Sequence, residues 1–257
     1  MVRLGNIVIS IFVFLTFSCK QNDTKSISTA SIPIEITIPK FNEDSAYLYI
    51  QDQVDFGPRV PNSQAQTDCA NYLINQLSRF GADITTQSDV VQRFDGHSMN
   101  MINIIATFNK NAFKRVLLCA HWDSRFIADN DSIDNDIPIL GANDGGSGVG
   151  VLLEIARQIQ LQPLNIGVDI IFFDVEDQGD PNGTINPKPH SWCIGSQYWS
   201  KNPHVTNYFA DYGVLLDMVG GENARFTKEG VSRRFASRIV EKTWRIAASN
   251  GYANYFI

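Results

Sequence analysis

Between Arg115 and Gly179 the chain twice enters a short, almost wholly apolar segment and twice breaks off into acidic residues. Val116–Ala120 reads VLLCA and runs into His121-Trp122-Asp123; Val168–Phe173 reads VDIIFF and runs into Asp174-Val175-Glu176-Asp177. Apolar runs of this length without polar alternation belong to strands covered on both faces. Strands of that kind need helices on each side of the sheet, which restricts the chain to α/β architectures. Between the two runs, Asp144 stands in a glycine-rich turn ahead of an apolar stretch with helical spacing. Ligands of open α/β sheets collect outside the carboxyl ends of the strands, so the imidazole and the carboxylates are expected at one rim. One imidazole with several carboxylates suits a hard or borderline divalent cation, zinc being the usual choice when histidine takes part.

At 257 residues the chain fits one large α/β domain, or one domain with tails. Its 21 basic and 27 acidic residues leave a net charge of −6, without the basic surface that nucleic acid requires, so nucleic-acid partners are not expected. Cys19, Cys69, Cys119 and Cys193 contain no CxxC pair, which argues against a disulfide framework and against a cysteine zinc site. At the N-terminus, Arg3 precedes an apolar run from Ile7 to Phe17 that is too short for a permanent membrane span, and residues 1–19 read as an export signal. Ser18-Cys19 resembles the lipobox of bacterial lipoproteins, in which Cys19 would carry lipid; a plain cleaved signal with an incidental cysteine is the alternative. Residues 20–40, rich in Asn, Ser and Thr from Gln21 to Pro33, form a flexible tether in this reading. The mature protein is expected to be exported to the periplasm or cell envelope, anchored by the lipid and monomeric.

The domain proper is expected over 41–257. Ile34–Ile38 alternates and predicts a short extended segment before it. Asn42 is a candidate N-cap for a helix burying Ala46, Leu48, Tyr49, Ile50 and Val54, ended by Gly57-Pro58. A second helix starts near Asn62-Ser63, turns Cys69, Tyr72, Leu73, Leu77 and Phe80 inward, and stops at Gly81. Val90–Phe94 and Met101–Phe108 read as strands joined through Asp95-Gly96-His97-Ser98, with His97 a solvated turn residue. Val214–Leu216 reads as a further buried strand ending at Asp217, and Glu229–Asn250 as an amphipathic helix with Phe235, Ile239, Trp244 and Ala247 inward. Alternating strands and helices imply a mixed, mostly parallel sheet with helices on both faces, a three-layer α/β fold.

Taken singly, the polar residues have plain structural readings. Asp144 before Gly145-Gly146-Ser147-Gly148 could be only a helix cap. The glycine run lacks the Lys-Ser/Thr and the GxGxxG spacing of phosphate loops. Together they are more specific, because adjacent carboxylates at a buried strand end repel each other unless a cation or a proton separates them.

The series HxD at 121–123, D-GG-SG at 144–148, the acidic pair at 176–177 and LLD before GG at 215–221 resembles the zinc aminopeptidase superfamily. Within it the chain resembles the bacterial glutaminyl cyclases (glutaminyl-peptide cyclotransferases). In the aminopeptidases the acidic pair is followed almost at once by the Gly-Ser of a helix start. Here the fifteen residues Asp180–Ile194 intervene, and the stretch from Trp192 to Trp199 is similar to that of the bacterial cyclases. The resemblance implies a peptidase M28-like fold; Asp144 and Asp177 as zinc ligands; Glu176 as general acid/base; Asp217 as a second catalytic carboxylate; and Trp192 as a wall of the substrate pocket. His121 and Asp123 correspond to a second-metal ligand and the carboxylate orienting it. It also implies an aminoacyl transfer that converts the N-terminal Gln of peptides and proteins to pyroglutamate with release of ammonia. The family's last zinc ligand is a histidine beyond Ile257, so the chain is expected to be truncated at its C-terminus and to lack that ligand. A dizinc aminopeptidase and a non-catalytic binding lipoprotein of the same fold remain the alternatives.

Overall fold

The structure, a computed structural model, describes residues 39–181, 188 and 190–257. The export signal, Cys19, the Ile34–Ile38 segment, the tether before Pro39 and residues 182–187 and 189 of the insertion lie outside the described residues.

The described elements run α1 (Glu43–Asp55), α2 (Gln64–Arg79), β1 (Asp83–Gln92), β2 (Ser98–Phe108), β3 (Arg115–His121), α3 (Gly146–Leu161), β4 (Gly167–Phe173), α4 (Ile194–Lys201), β5 (Tyr212–Leu215) and α5 (Gly230–Ser249). The first two helices begin where side-chain caps dictate. Asn42 Oδ1 accepts from the Ser45 N–H and Ser63 Oγ from the Gln66 N–H, each satisfying a donor the first helical turn leaves unpaired. Gly81 after α2 takes φ +86°, the left-handed stop that glycine permits.

The strands form one open sheet in the order β1-β2-β4-β3-β5. β2 pairs antiparallel with β1 and β4, while β3 pairs parallel with β4 and β5, so parallel pairing is confined to the half that carries the acids. Ile104, Ala106, Val168, Ile170 and Phe172 meet Cys69, Leu73 and Leu77 of α2 and Val149, Leu152 and Leu153 of α3 on one face. Ile105, Cys119, Ile171 and Phe173 point to the other face, where Trp199 of α4 covers them. Both faces of β4 are therefore dry, which is why its sequence shows no polar alternation. Gly150 lets α1 approach α3: a Cβ there would stand 2.6 Å from Ile50 Cγ1 and 2.8 Å from Ala46 O.

Four sequence expectations are corrected. β1 starts at Asp83 rather than Val90, because it is an outer strand whose mostly solvated DITTQS start gives no apolar run. β5 is half exposed rather than buried, with Leu215 at 61%. Leu48 is exposed, and Gln53 takes a buried place on α1 instead. Phe235 is 77% exposed because the helix is interrupted at Ala236 (φ −137°, ψ 35°), so the buried stripe through Val240 and Ala247 does not extend back in phase.

Candidate active site

The site assembles where β3 and β4 end side by side. Trp122 N–H donates to Phe173 O at 3.0 Å, and the buried Trp122 indole donates to Ile102 O, so the segment after β3 is pinned to the adjacent strand β4 and to β2 beyond it. Asp123, fully buried, is saturated: Oδ1 accepts from Glu176 N–H at 3.1 Å and lies 3.3 Å from His121 Nδ1, while Oδ2 accepts from Asp177 N–H and Gln178 Nε2. Its carboxylate is thus a support that orients His121 and holds the acidic loop. Asp174 supports the loop from beneath, accepting from Gln66 Nε2 and the N–H groups of Ile102 and Val175. Burial, reinforced by the Asp123 charge, pushes the Asp174 carboxyl well above the usual carboxylate range. Val175, buried and β-branched, takes φ +53°, a strained left-handed turn that the flanking bonds hold.

Asp144 arrives from the opposite side. Gly145 takes φ +63°, and a Cβ there would meet His121 O at 2.7 Å, so only glycine lets this turn reach the end of β3. Arg59, wholly buried, holds the approach by donating to Trp122 O, Leu140 O and Gly141 O. The capping reading of Asp144 fails: Gly145 is the N-cap of α3 and no side chain bonds there. The Asp144 carboxylate instead lies 2.9 Å from His121 Nε2. Asp217, just beyond β5, comes within 3.5 Å of the same nitrogen, and Val219 N–H to Ser147 Oγ ties its loop to the Asp144 turn.

The electrostatics call for positive charge. Burial opposes an imidazolium at His121, yet hydrogen bonds with Asp123, Asp144 and Asp217 outweigh it and hold its pKa well above the usual value. Burial, then repulsion by Asp144 and Asp123, pushes Asp177 up to about 8. Burial also raises Glu176, partly offset by His121. The hydrogen bond to His121 is the main reason Asp217 stays low. The donor atoms of His121, Asp144 and Asp217 lie within 4.8 Å of one another, a group able to hold a metal ion. Asp177 stands beside this group rather than in it, with Oδ1 3.4 Å from Arg125 Nη1 and the buried Oδ2 without a hydrogen-bond partner. An orphaned carboxylate oxygen in a pocket of repelling acids is what a divalent cation would satisfy, so the donor set fits one.

The end of the insertion folds back onto this loop. Cys193 N–H donates to Glu176 O and Ile194 N–H to Val175 O, both at 2.9 Å, and Cys193 Sγ lies 3.1 Å from Glu176 Oε1. Trp192, 39% exposed, lies over the Arg125 guanidinium at 4.6 Å and against Gly179, where any Cβ would overlap its ring. All the sequence-predicted site residues are therefore brought to one rim. Arg59, Arg125 and Gln178 escape sequence reasoning, because a buried basic or amide side chain bonding to backbone leaves no periodic or motif signal.

Residues 103–255 match peptidase family M28. The chain is 27% identical over 211 residues to glutaminyl-peptide cyclotransferase of Drosophila melanogaster, covering 76% of this chain and 55% of that protein. It is 53% identical to the solved glutaminyl cyclase of Tannerella forsythia, with a TM-score of 0.83 over 85% of this chain and 76% of the other. A Zn-dependent exopeptidase from Parabacteroides distasonis is also 53% identical, with a TM-score of 0.84 over 86% and 76% of the two chains. The chain spans about half the length of the curated relatives it matches.

Proposed function

The chain belongs to peptidase family M28, and on that premise we propose that the protein is a zinc-dependent glutaminyl-peptide cyclotransferase acting on peptides and proteins with an N-terminal Gln. The observation that carries this reading is the return of Trp192 and Cys193 onto the acidic loop: it sets an aromatic wall and a shielded Glu176 beside the carboxylates. The 53% identity to the Tannerella forsythia cyclase supports it.

In this mechanism Asp144 and Asp177 would hold the zinc, with His121 and Asp217 beside them. The chemistry a bound zinc would supply is polarisation of the substrate γ-carbonyl and an offset to the negative charge on its oxygen. Glu176 accepts a proton from the attacking α-amine and returns it to the amide nitrogen that leaves as ammonia. A carboxyl raised by burial is suited to both steps. Asp217 holds the reacting nitrogen, and Trp192 keeps water from the closing ring. Because the nucleophile belongs to the substrate, ring closure gains from proximity and no water is activated.

The convergence of His121, Asp144 and Asp217 favours a second reading, a dizinc aminopeptidase in which these three hold a further metal and Glu176 activates water. Gln-initiated peptides separate the two: the cyclase releases ammonia and leaves a blocked peptide, the aminopeptidase releases free glutamine. Ammonia release that tracks zinc content is the expected result, and free glutamine in its place would transfer the assignment.

The reading extends to location. Arg3, the Ile7–Phe17 run and Ser18-Cys19 support an exported protein with lipid on Cys19. Loss of the protein from the membrane fraction on Cys19→Ser is the corresponding test.

A further inference from the structure

Cys193 occupies the N-cap position of α4, where a side chain ordinarily accepts from its own helix. No side-chain cap bond is made here. The thiol turns instead to Glu176 Oε1 at 3.1 Å, while the main chain of residues 193 and 194 donates to the carbonyls of Glu176 and Val175. The residue does this at φ +57°, a conformation in which glycine would be relaxed and a side chain is strained. One residue therefore grips both the backbone and the carboxylate of Glu176. Burial, with the Glu176 contact second, pushes the thiol up to about 12, so it remains an S–H donor at neutral pH. It is neither a nucleophile nor a metal ligand in that state.

We propose that Cys193 is a positioning residue for Glu176: by donating to Oε1 it leaves Oε2 as the oxygen that takes and returns the substrate proton. This rests on the cyclisation reading given above. The geometry is consistent with that division of labour, since Oε2 is the oxygen that faces His121, 4.0 Å from Nδ1.

A packing role and a donor role predict different orders among small replacements. Cys193→Ala removes the donor; Cys193→Ser restores one in the same space. In the full-length protein loaded with zinc, Cys193→Ala is expected to lower kcat about tenfold at unchanged KM and zinc content, a fraction of what a general acid/base contributes. Cys193→Ser should recover most of that loss. Equal kcat for the two variants would overturn the proposal. An independent readout is the infrared S–H stretch. The wild-type band that Cys193→Ser removes should lie below that of an unbonded thiol and move upward in Glu176→Gln. That last shift is measurable even if the alanine variant fails to fold, and an unmoved band would also overturn the proposal. If the band shifts but no form releases ammonia, the hydrogen bond stands, while the cyclisation reading and the positioning role both fall.

Discussion

The two parallel neighbours of β3 are built differently. β4 is buried at all seven positions and is followed by the acidic loop; β5, four residues long, alternates between half-buried and exposed. Their helices differ in the same way: α3 buries ten of its sixteen residues, whereas α5 buries Val240 and Ala247 of twenty. Five of the site's polar groups, His121, Asp123, Asp144, Glu176 and Asp177, are carried by the buried half, and only Asp217 comes from the β5 end. Packing density thus marks which groups are fixed in place and which are held by a few hydrogen bonds, such as Leu216 N–H to Cys119 O and Val219 N–H to Ser147 Oγ.

The contrast can be tested by opposed substitutions. The largest effect should fall on turnover. Glu176→Gln is expected to reduce kcat by ~10²–10⁴-fold with zinc binding retained, and Asp217→Asn by less, since its carboxylate is tethered to the softer end. Steady-state ammonia release alongside metal content checks this, and a larger loss at Asp217 would break the comparison. Next comes stability: Phe172→Ala in β4 should cost about 3–5 kcal/mol, and Phe235→Ala in α5 within about 0.5 kcal/mol. Urea unfolding of both variants decides it; similar costs would mean that α5 is buried in solution.

A smaller effect is expected in pH. The Asp177 carboxyl moves from its ordinary 3.8 to about 8, so its ionised form is disfavoured in the folded state. The stability this group leaves intact below 3.8 is then eroded as pH rises towards 8. His121, raised above its usual 6.5, acts in the same sense, its contribution being full below that value and lost as pH rises through the folded one. Chelated protein should therefore melt at a lower temperature at about pH 8 than at about pH 5, and Asp177→Asn should flatten the trend. Added zinc should also flatten it. A metal-free melting temperature that climbs over that window would contradict the electrostatics of the site. Smallest of all, Leu48→Gln on the exposed side of α1 should leave stability within about 0.5 kcal/mol.

The same contrast explains what could be read from sequence. β3 and β4 to within a residue at each end, the two capped helices and the convergence of His121, Asp144, Glu176 and Asp177 were legible, because these inner strands carry nearly uninterrupted apolar runs that end abruptly. β1 and Phe235 were not. An outer strand needs no apolar pattern, and a kink at Ala236 resets a helical phase that periodicity assumes to be continuous. Taken alone, Asp144 before the glycine run reads in sequence as a plain helix cap. The resolution of that reading depended on Gly145 lying against His121 O, a contact between residues far apart in the chain.

The bonds from Cys193 and Ile194 to Glu176 and Val175, with Gly179 packed under Trp192, close the insertion at its base. A loop closed in this way can lengthen cheaply, since doubling its length adds only about 0.6 kcal/mol of closure entropy. The residues between Gly179 and Trp192 can therefore vary while the acids below keep their places. Changes in the length of that loop and the placement of the acids beneath it are therefore physically separate.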